Sequence, residues 1–229
     1  VAAEKTLGAC AYCGRELART GMARHLGACP KRKAAIEAAD ARPGKAGPMV
    51  HVQVHDRWSG SYWLHLEIDG SAPVSRLDEY LRAIWLDCCG HMSRFTGRGW
   101  GTEEIGMRKK AAAVFHPGTE LMHMYDFGTT SYTVVRSVGV REGKRTTGHP
   151  IALMARNAPP DVPCQECDLP AAFLCMECMS EDAPGTLCEA HAGEHPHFDE
   201  DEFGGGPLPL LNSPRSGMCG YDGPADPPY

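Results

Sequence analysis

Eight of the eleven cysteines fall into two short windows, and both windows also carry histidine. Residues 10–30 read CAYCGRELARTGMARHLGACP and give the frame Cys10-x2-Cys13-x11-His25-x3-Cys29. Thiolate sulfur and imidazole nitrogen are the donors that zinc takes four at a time in a tetrahedron, and two closely spaced pairs deliver them from a turn and a helix. His25 and Cys29 lie four residues apart, so on a helix both project from one face. The second window runs Cys164-x2-Cys167-x7-Cys175-x2-Cys178-x9-Cys188-x2-His191-x3-His195-x-His197. Its four pairs make eight ligands, enough for two zinc ions; a single zinc on the first two cysteine pairs, with the histidines left exposed, is the other arrangement the spacing allows. Disulfides would need cysteine alone, and a chain with no basic-then-apolar leader is expected in the cytoplasm, where thiols stay reduced. Three zinc ions per chain are therefore expected, or two if the second window holds one. With every coordination sphere filled by protein, these sites are structural rather than catalytic. Cys88, Cys89 and Cys219 stand apart from both windows. Cys88 and Cys89 follow the apolar end of a helical stretch and read as core thiols.

The first window resembles the ββα zinc-finger class in its Cys-Cys-His-Cys variant, with Leu17 and Met22 in the places of the usual finger core. The resemblance implies that bases would be read from helix positions −1, 3 and 6, here roughly Ala18, Gly21 and Arg24, and only Arg24 suits guanine. Arg15, Arg19, Arg24, Lys31, Arg32 and Lys33 instead suit phosphate, a contact that is blind to sequence and weakened by salt. The second window resembles a B-box-type cross-brace. That likeness implies one site from Cys164, Cys167, Cys188 and His191 and another from Cys175, Cys178, His195 and His197. His195 and His197 flank Pro196, and in an extended chain residues two apart point to opposite faces, so Asp199 stands as an alternative ligand. B-box-like modules mediate protein interaction, which is the role the likeness implies here.

The chain that carries these ligands divides into four segments. Residues 1–40 hold the finger and a basic extension, PKRKAAIEAAD, able to continue as helix after Pro30. Residues 41–48, ARPGKAGP, are a linker by their Pro and Gly content. Residues 49–157 form the largest module, and 158–229 an acidic, loop-rich zinc module and tail. Within the middle module Tyr62, Leu64, Leu66 and Ile68 alternate as in a half-buried strand. Val74, Leu77, Leu81, Ile84 and Trp85 then make one helical stripe, with Ser75 as N-cap. ELMHMYDF and SYTVVRSVGVRE read as strands of a hairpin around GTT, and HPIALMARN as one further strand. The expected fold class is α+β: a small ββα zinc finger, a helix packed on a mostly antiparallel sheet, and a loop-rich cross-brace zinc module. No apolar run approaches the ~18 residues of a membrane span. Net charge is −6, distributed as +5 over residues 1–48, +1 over 49–150 and −12 over 151–229. Such a basic head and acidic tail suit different partners: nucleic acid or ribonucleoprotein at the first end, protein at the second.

Residues 60–155 resemble the plasmid pRiA4b ORF-3-like, or transposon resolvase-like, family. The likeness rests on a strand and helix followed by His91-Met92-Ser93-Arg94-Phe95 and then Tyr125-Asp126-Phe127-Gly128-Thr129. The zinc cluster followed by LNSPRSGMCGY is similar to a C-terminal extension of some members. Thr129 stands where the family commonly has a second acidic residue. The family's name implies an enzyme of DNA transactions, which here would centre on Asp126 and His91. No serine or tyrosine nucleophile with a basic surround accompanies them, and the module is near-neutral. The reading that follows is a non-enzymatic, multi-zinc adaptor whose finger touches phosphate of RNA, ribosome or DNA and whose acidic end engages protein. Its rivals are the DNA-transaction enzyme and a regulator with purely structural zinc. GRGWGTEEIGMRKK, with Trp100, reads as a flexible basic loop able to stack or touch phosphate.

Overall fold

The structure is a computed structural model describing residues 6–97, 102–198 and 206–229; Trp100 and Asp199 lie outside the described residues. The chain begins with β1 (Leu7–Cys10), β2 (Glu16–Ala18), α1 (Arg19–Ala28) and α2 (Pro30–Asp40). It continues through β3 (Gly47–Asp56), β4 (Trp63–Asp69), α3 (Ser75–Leu81), β5 (Ser93–Gly97), β6 (Glu104–Ile105) and α4 (Ala111–Val114). Then come β7 (Glu120–Tyr125), β8 (Ser131–Gly143) and β9 (Ile151–Asn157). Among the described residues these nine strands make one antiparallel sheet, ordered β2-β1-β9-β4-β3-β8-β7-β5-β6. The molecule is thus mixed α/β with a large antiparallel sheet and few helices. No helix among the described residues is long and apolar enough to cross a membrane.

One face of the sheet carries Val50, Val52 and Val54 of β3 and Leu64, Leu66 and Ile68 of β4, packed against the stripe Val74, Leu77, Leu81, Ile84 and Trp85. That stripe is where the 3.6-residue period put it. The helix differs from expectation at both ends. Val74, not Ser75, is its N-cap and makes no side-chain cap; the Val74 and Ser75 amides donate to the Lys109 and Met107 carbonyls instead. A neighbouring loop therefore satisfies donors that a serine would otherwise take. At the far end the helix widens into a π-helical turn, Arg82–Leu86, which sets the exit towards Cys88. The hairpin forms as the turn residues imply, with Tyr125 opposite Ser131.

The strand β4 is a correction. It reads as half-buried, yet its first six residues are all buried. Trp63, His65 and Glu67, which alternate with the core leucines, lie beneath the N-terminal helices. Trp63 packs with Met22 and Leu26 of α1. His65 shares a hydrogen bond of 2.8 Å with His51 and one of 3.2 Å with Gln53. Glu67 is held by Arg32 of α2 at 2.7 Å and by Arg141 of β8 at 2.6 Å. The N-terminal segment is therefore continuous with the sheet, β1 pairing with β9 while α1 and α2 cover one face of β4. Gly8 makes the pairing possible: a β-carbon there would lie 2.1 Å from the Arg156 carbonyl oxygen and 2.6 Å from the Trp63 ring. The Pro/Gly segment is shorter than its composition suggests, because β3 already begins at Gly47.

Residues 158–229 fold around β10 (Phe173–Leu174), α5 (Met176–Ser180), β11 (Thr186–Leu187), α6 (Glu189–Gly193) and β12 (Leu208–Pro209). The short strands pair in the order β11-β10-β12. Four of the six buried residues at the centre are Cys164, Cys175, Cys178 and Cys188; the others are Leu187 and Ala192. So small an apolar core gives little hydrophobic stabilisation, and cysteine chemistry must supply the rest.

Candidate metal centres

The first group is assembled by three elements. Cys10 ends β1, and the turn after it is closed by Gly14 donating to the Cys10 carbonyl at 2.8 Å and Cys10 donating to the Arg15 carbonyl at 3.0 Å. Gly14 sits at φ 75°, the left-handed region that favours glycine, and this bends Cys13 back over the turn. The helix α1 brings His25, and Cys29 closes its end. A β-bulge in β9 opposite His65 and Leu66 leaves the Met154 carbonyl free to accept the Ala11 amide at 2.9 Å. The sheet thereby fixes the knuckle itself, and the Met154 side chain completes the apolar support with Met22, Leu26 and Trp63. The ligand atoms of Cys10, Cys13, His25 and Cys29 all lie within 4.8 Å of one another, with Cys13 Sγ 3.3 Å from His25 Nε2.

Zinc bond lengths of about 2.3 Å to sulfur and 2.0 Å to nitrogen put neighbouring ligands about 3.5–3.8 Å apart on a tetrahedron. The acidic module shows this spacing twice. Cys164, Cys167, Cys188 and His191 converge, with His191 Nδ1 3.4 Å from both Cys164 and Cys188 and the Cys167 and Cys188 sulfurs 3.9 Å apart. Cys175, Cys178, His195 and His197 converge likewise. Cys178 Sγ lies 3.3 Å from His195 Nε2, and Cys175 Sγ lies 3.3 Å from His197 Nδ1. The extended geometry expected of His195 and His197 does not occur. A 3-10 turn at Pro196–Phe198 rotates both rings towards the same sulfurs. Burial pushes the Cys164 thiol up, but N–H donors at Cys188 and Glu166 and the His191 ring outweigh it and bring its pKa to about 6. Thiolate, the metal-binding form, is accordingly favoured at neutral pH.

The six cations proposed to touch phosphate divide. Arg15, Arg24, Lys31 and Lys33 are exposed. Arg32 is 11% exposed and bonded to Glu67. Arg19 is half-buried, and its guanidinium lies over Gly60, where an added β-carbon would meet it at 3.3 Å.

A fourth group escapes the sequence reading. Cys88, Cys89, His91 and Cys219 also bring their ligand atoms within 4.8 Å of one another. Cys88 is half-buried and packs against the hydrophobic core as expected, whereas Cys89 is exposed and is not a core thiol. The Cys-Cys-x-His run was visible, but its fourth member is 128 residues from His91. The tail reaches it through polar anchors. Ser213 donates to the Trp85 carbonyl at 2.6 Å. Arg215, fully buried, donates to Asp126 at 2.7 Å, to the Thr129 carbonyl at 3.0 Å and to Ser131 at 2.9 Å.

His91 and Asp126 do meet, at 3.4 Å, but the carboxylate is committed. One oxygen takes Arg215; the other accepts the Gly128 and Thr129 amides at 2.9 and 3.3 Å. Burial alone would raise the Asp126 carboxyl, yet the Gly128 amide, Arg215 and the Thr129 amide outweigh it and hold it below the usual carboxylate range. A carboxylate so stabilised is a poor proton acceptor. Asp78 and His123, bonded at 2.8 Å, form a second acid–imidazole pair; His123 is fully buried beneath the sheet, where it pins α3 to β7. On the outer face of β5, β7 and β8 an open groove of about 390 Å³ is lined by Arg57, Trp58, Arg94, Met122, Met124 and Tyr132 among others. Trp58 is 76% exposed there, with the Arg57 guanidinium 5.2 Å from its ring centre.

No protein-family model matches the chain, and no curated protein does. Among solved structures, the chain is similar to a protein of unknown function from Methanosarcina mazei Go1, at 14% identity and a TM-score of 0.39. The match covers 45% of this chain and 66% of that one, just under two thirds of its length.

Proposed function

We propose that the chain is a non-enzymatic, zinc-organised interaction protein. Its N-terminal finger contacts nucleic-acid phosphates without reading sequence, and its acidic C-terminal module contacts protein. The observation that carries this reading is the convergence of three Cys/His tetrads, the ligand atoms of each within 4.8 Å of one another, with Arg15, Arg24, Lys31 and Lys33 exposed around the first. A tetrad with no open position organises the chain; it does not activate water. Zinc suits these donor sets because thiolate and imidazole in tetrahedral spacing are its preferred surroundings. The open groove adds stacking faces, Trp58 and Tyr132, beside Arg57 and Arg94, a combination that suits single strands. Within this reading residues 60–155 are a pRiA4b ORF-3-like scaffold whose Asp126 secures the tail instead of performing chemistry. The C-terminal tetrads occupy a cross-brace of the B-box kind, and the surrounding acidic residues favour a basic protein partner over nucleic acid.

Salt-dependent binding tests the nucleic-acid half. With four phosphate contacts to a random-sequence single strand, affinity falls roughly 50-fold between about 50 and 200 mM salt. Replacing Arg15, Arg24, Lys31 and Lys33 by alanine together flattens that dependence while leaving the metal content unchanged. Absence of binding at the lower salt, or binding indifferent to both salt and the four substitutions, contradicts this part of the reading.

A further inference from the structure

We propose that Cys88, Cys89, His91 and Cys219 hold a fourth metal ion of the thiophilic class, zinc foremost, and that this ion is the exchangeable one of the four. The inference extends the zinc reading above and shares its coordination chemistry. Three sulfurs and one imidazole nitrogen converge from two segments that are remote in the chain. Cys88 and Cys89 sulfurs are 3.4 Å apart, and His91 Nε2 lies 2.9 Å from Cys89 and 3.8 Å from Cys219. These separations bracket the tetrahedral edge and are well beyond the ~2.05 Å of a disulfide. The same imidazole nitrogen lies 3.4 Å from Asp126, whose carboxylate is already taken by Arg215 and two amides; its approach to two sulfurs is explained by a shared ion better than by a chain of weak thiol hydrogen bonds.

The surroundings are those of a built site. The π-helical turn ends at Leu86, and the Asp87 carboxylate then accepts the Gly90 amide and the Tyr125 hydroxyl, each at 3.0 Å. The same hydroxyl accepts the His91 amide at 3.2 Å. This network fixes the loop that carries three of the ligands. Arg215, buried and held by four protein oxygen and sulfur acceptors, places a guanidinium nitrogen 3.3 Å from Cys88 Sγ and 2.7 Å from Asp126. Three thiolates and one divalent ion leave a net charge of −1, and Arg215, shared with Asp126, donates to the Cys88 sulfur that carries part of it. Cys219 itself adopts φ 52°, a left-handed conformation uncommon for a residue with a β-carbon. It is flanked by Gly217 and Gly220, also at positive φ, and the chain thereby turns the sulfur back towards His91.

Exposure separates this group from the other three. Each of the other tetrads has two buried ligands; here Cys88 and His91 are half-buried and Cys89 and Cys219 exposed. A chelator or a competing thiol can reach the sulfurs directly, so this ion leaves first. Its loss frees the segment around Cys219, while Ser213 and Arg215 keep the preceding residues anchored.

The test is zinc analysis of the purified full chain, combined with stopped-flow release to a chromophoric chelator. The unsubstituted protein is expected to contain four zinc ions and to release one of them at least tenfold faster than the rest. Cys219→Ser and, independently, Cys89→Ser are each expected to contain three and to lack the fast phase, with unchanged circular dichroism. Four ions in both variants, or three in the unsubstituted protein with no change on substitution, overturns the fourth site while leaving the zinc reading of the other tetrads intact. A disulfide between any two of these cysteines in protein purified under reducing conditions also overturns it. Absence of zinc altogether defeats both readings.

Discussion

Single buried charges decide how the N-terminal helices are attached to the sheet. Glu67 is 1% exposed, and Arg32 and Arg141 reach it from α2 and β8. Removing one partner from such a cluster leaves the others uncompensated in a poorly solvated place, at a cost of about 3–5 kcal/mol. Glu67→Ala is accordingly expected to destabilise the zinc-loaded protein by about that amount in urea unfolding; a loss below ~1 kcal/mol would mean that solvent reaches the cluster. His51 and His65 act in the same layer. Burial, then the neighbouring ring and Arg32, lower the His51 pKa to about 3, and burial lowers His65 to about 4 against a hydrogen bond to the Arg19 backbone that favours the charged ring. Both pKa values lie below the ordinary 6.5, so the unfolded chain binds more protons and folding is favoured as pH rises. The contribution is complete above about pH 6.5 and is lost as pH falls from there towards 3–4, at about 1.4 kcal/mol per pH unit for each histidine in that window. Chemical unfolding at pH 7 and pH 5.5, with His51→Gln as the comparison, measures it: the substitution is expected to make the slope shallower. At this scale the sequence was legible for ligands close together in the chain, since Cys10 with Cys13 and Cys188 with His191 announce themselves by spacing. It was silent on Arg32 with Glu67 and on Arg215 with Asp126, because a salt bridge across 35 or 89 residues leaves no local period.

At the scale of elements, the strand β1 joins the finger to the sheet, and Gly8 is the position that permits it. Valine at that position would drive a side chain into the Arg156 carbonyl and the Trp63 ring. Such overpacking costs typically about 1–3 kcal/mol, and here the obstruction is backbone that cannot step aside. Gly8→Val is expected to remove hydrogen-exchange protection from β1 and from the β9 amide of Ala155 onward, while the β7–β8 hairpin keeps its own. Uniform loss across the sheet, or no loss, would show that β1 is not an independently docked edge. The elements themselves were partly visible beforehand. The alternation in β4 and the stripe in α3 identified their core faces. The second buried face of β4 was not visible, because Trp63, His65 and Glu67 are amphipathic or polar and read as solvent-facing until α1 and α2 cover them. The bulge at Met154 was hidden for a related reason: a one-residue insertion shifts pairing without altering composition.

Across the whole molecule, apolar packing is thinnest in the acidic module, where two of the Cys/His groups lie. The large sheet has an extensive hydrophobic core of its own, whereas the acidic module has a centre made mostly of cysteine. Chelation should therefore unfold the two regions unequally: prolonged exposure to EDTA is expected to abolish structure in residues 158–198 while the central strands β3, β4 and β8 remain protected from exchange. The charge distribution, +5 over residues 1–48 and −12 over 151–229, suits different partners at the two ends. The central claim is that the three closed tetrads are structural zinc sites. Elemental analysis of the full chain, purified without added metal and with its thiols reduced, measures this most directly. At least three zinc ions per chain are predicted; a chain that is folded and holds none would contradict the account.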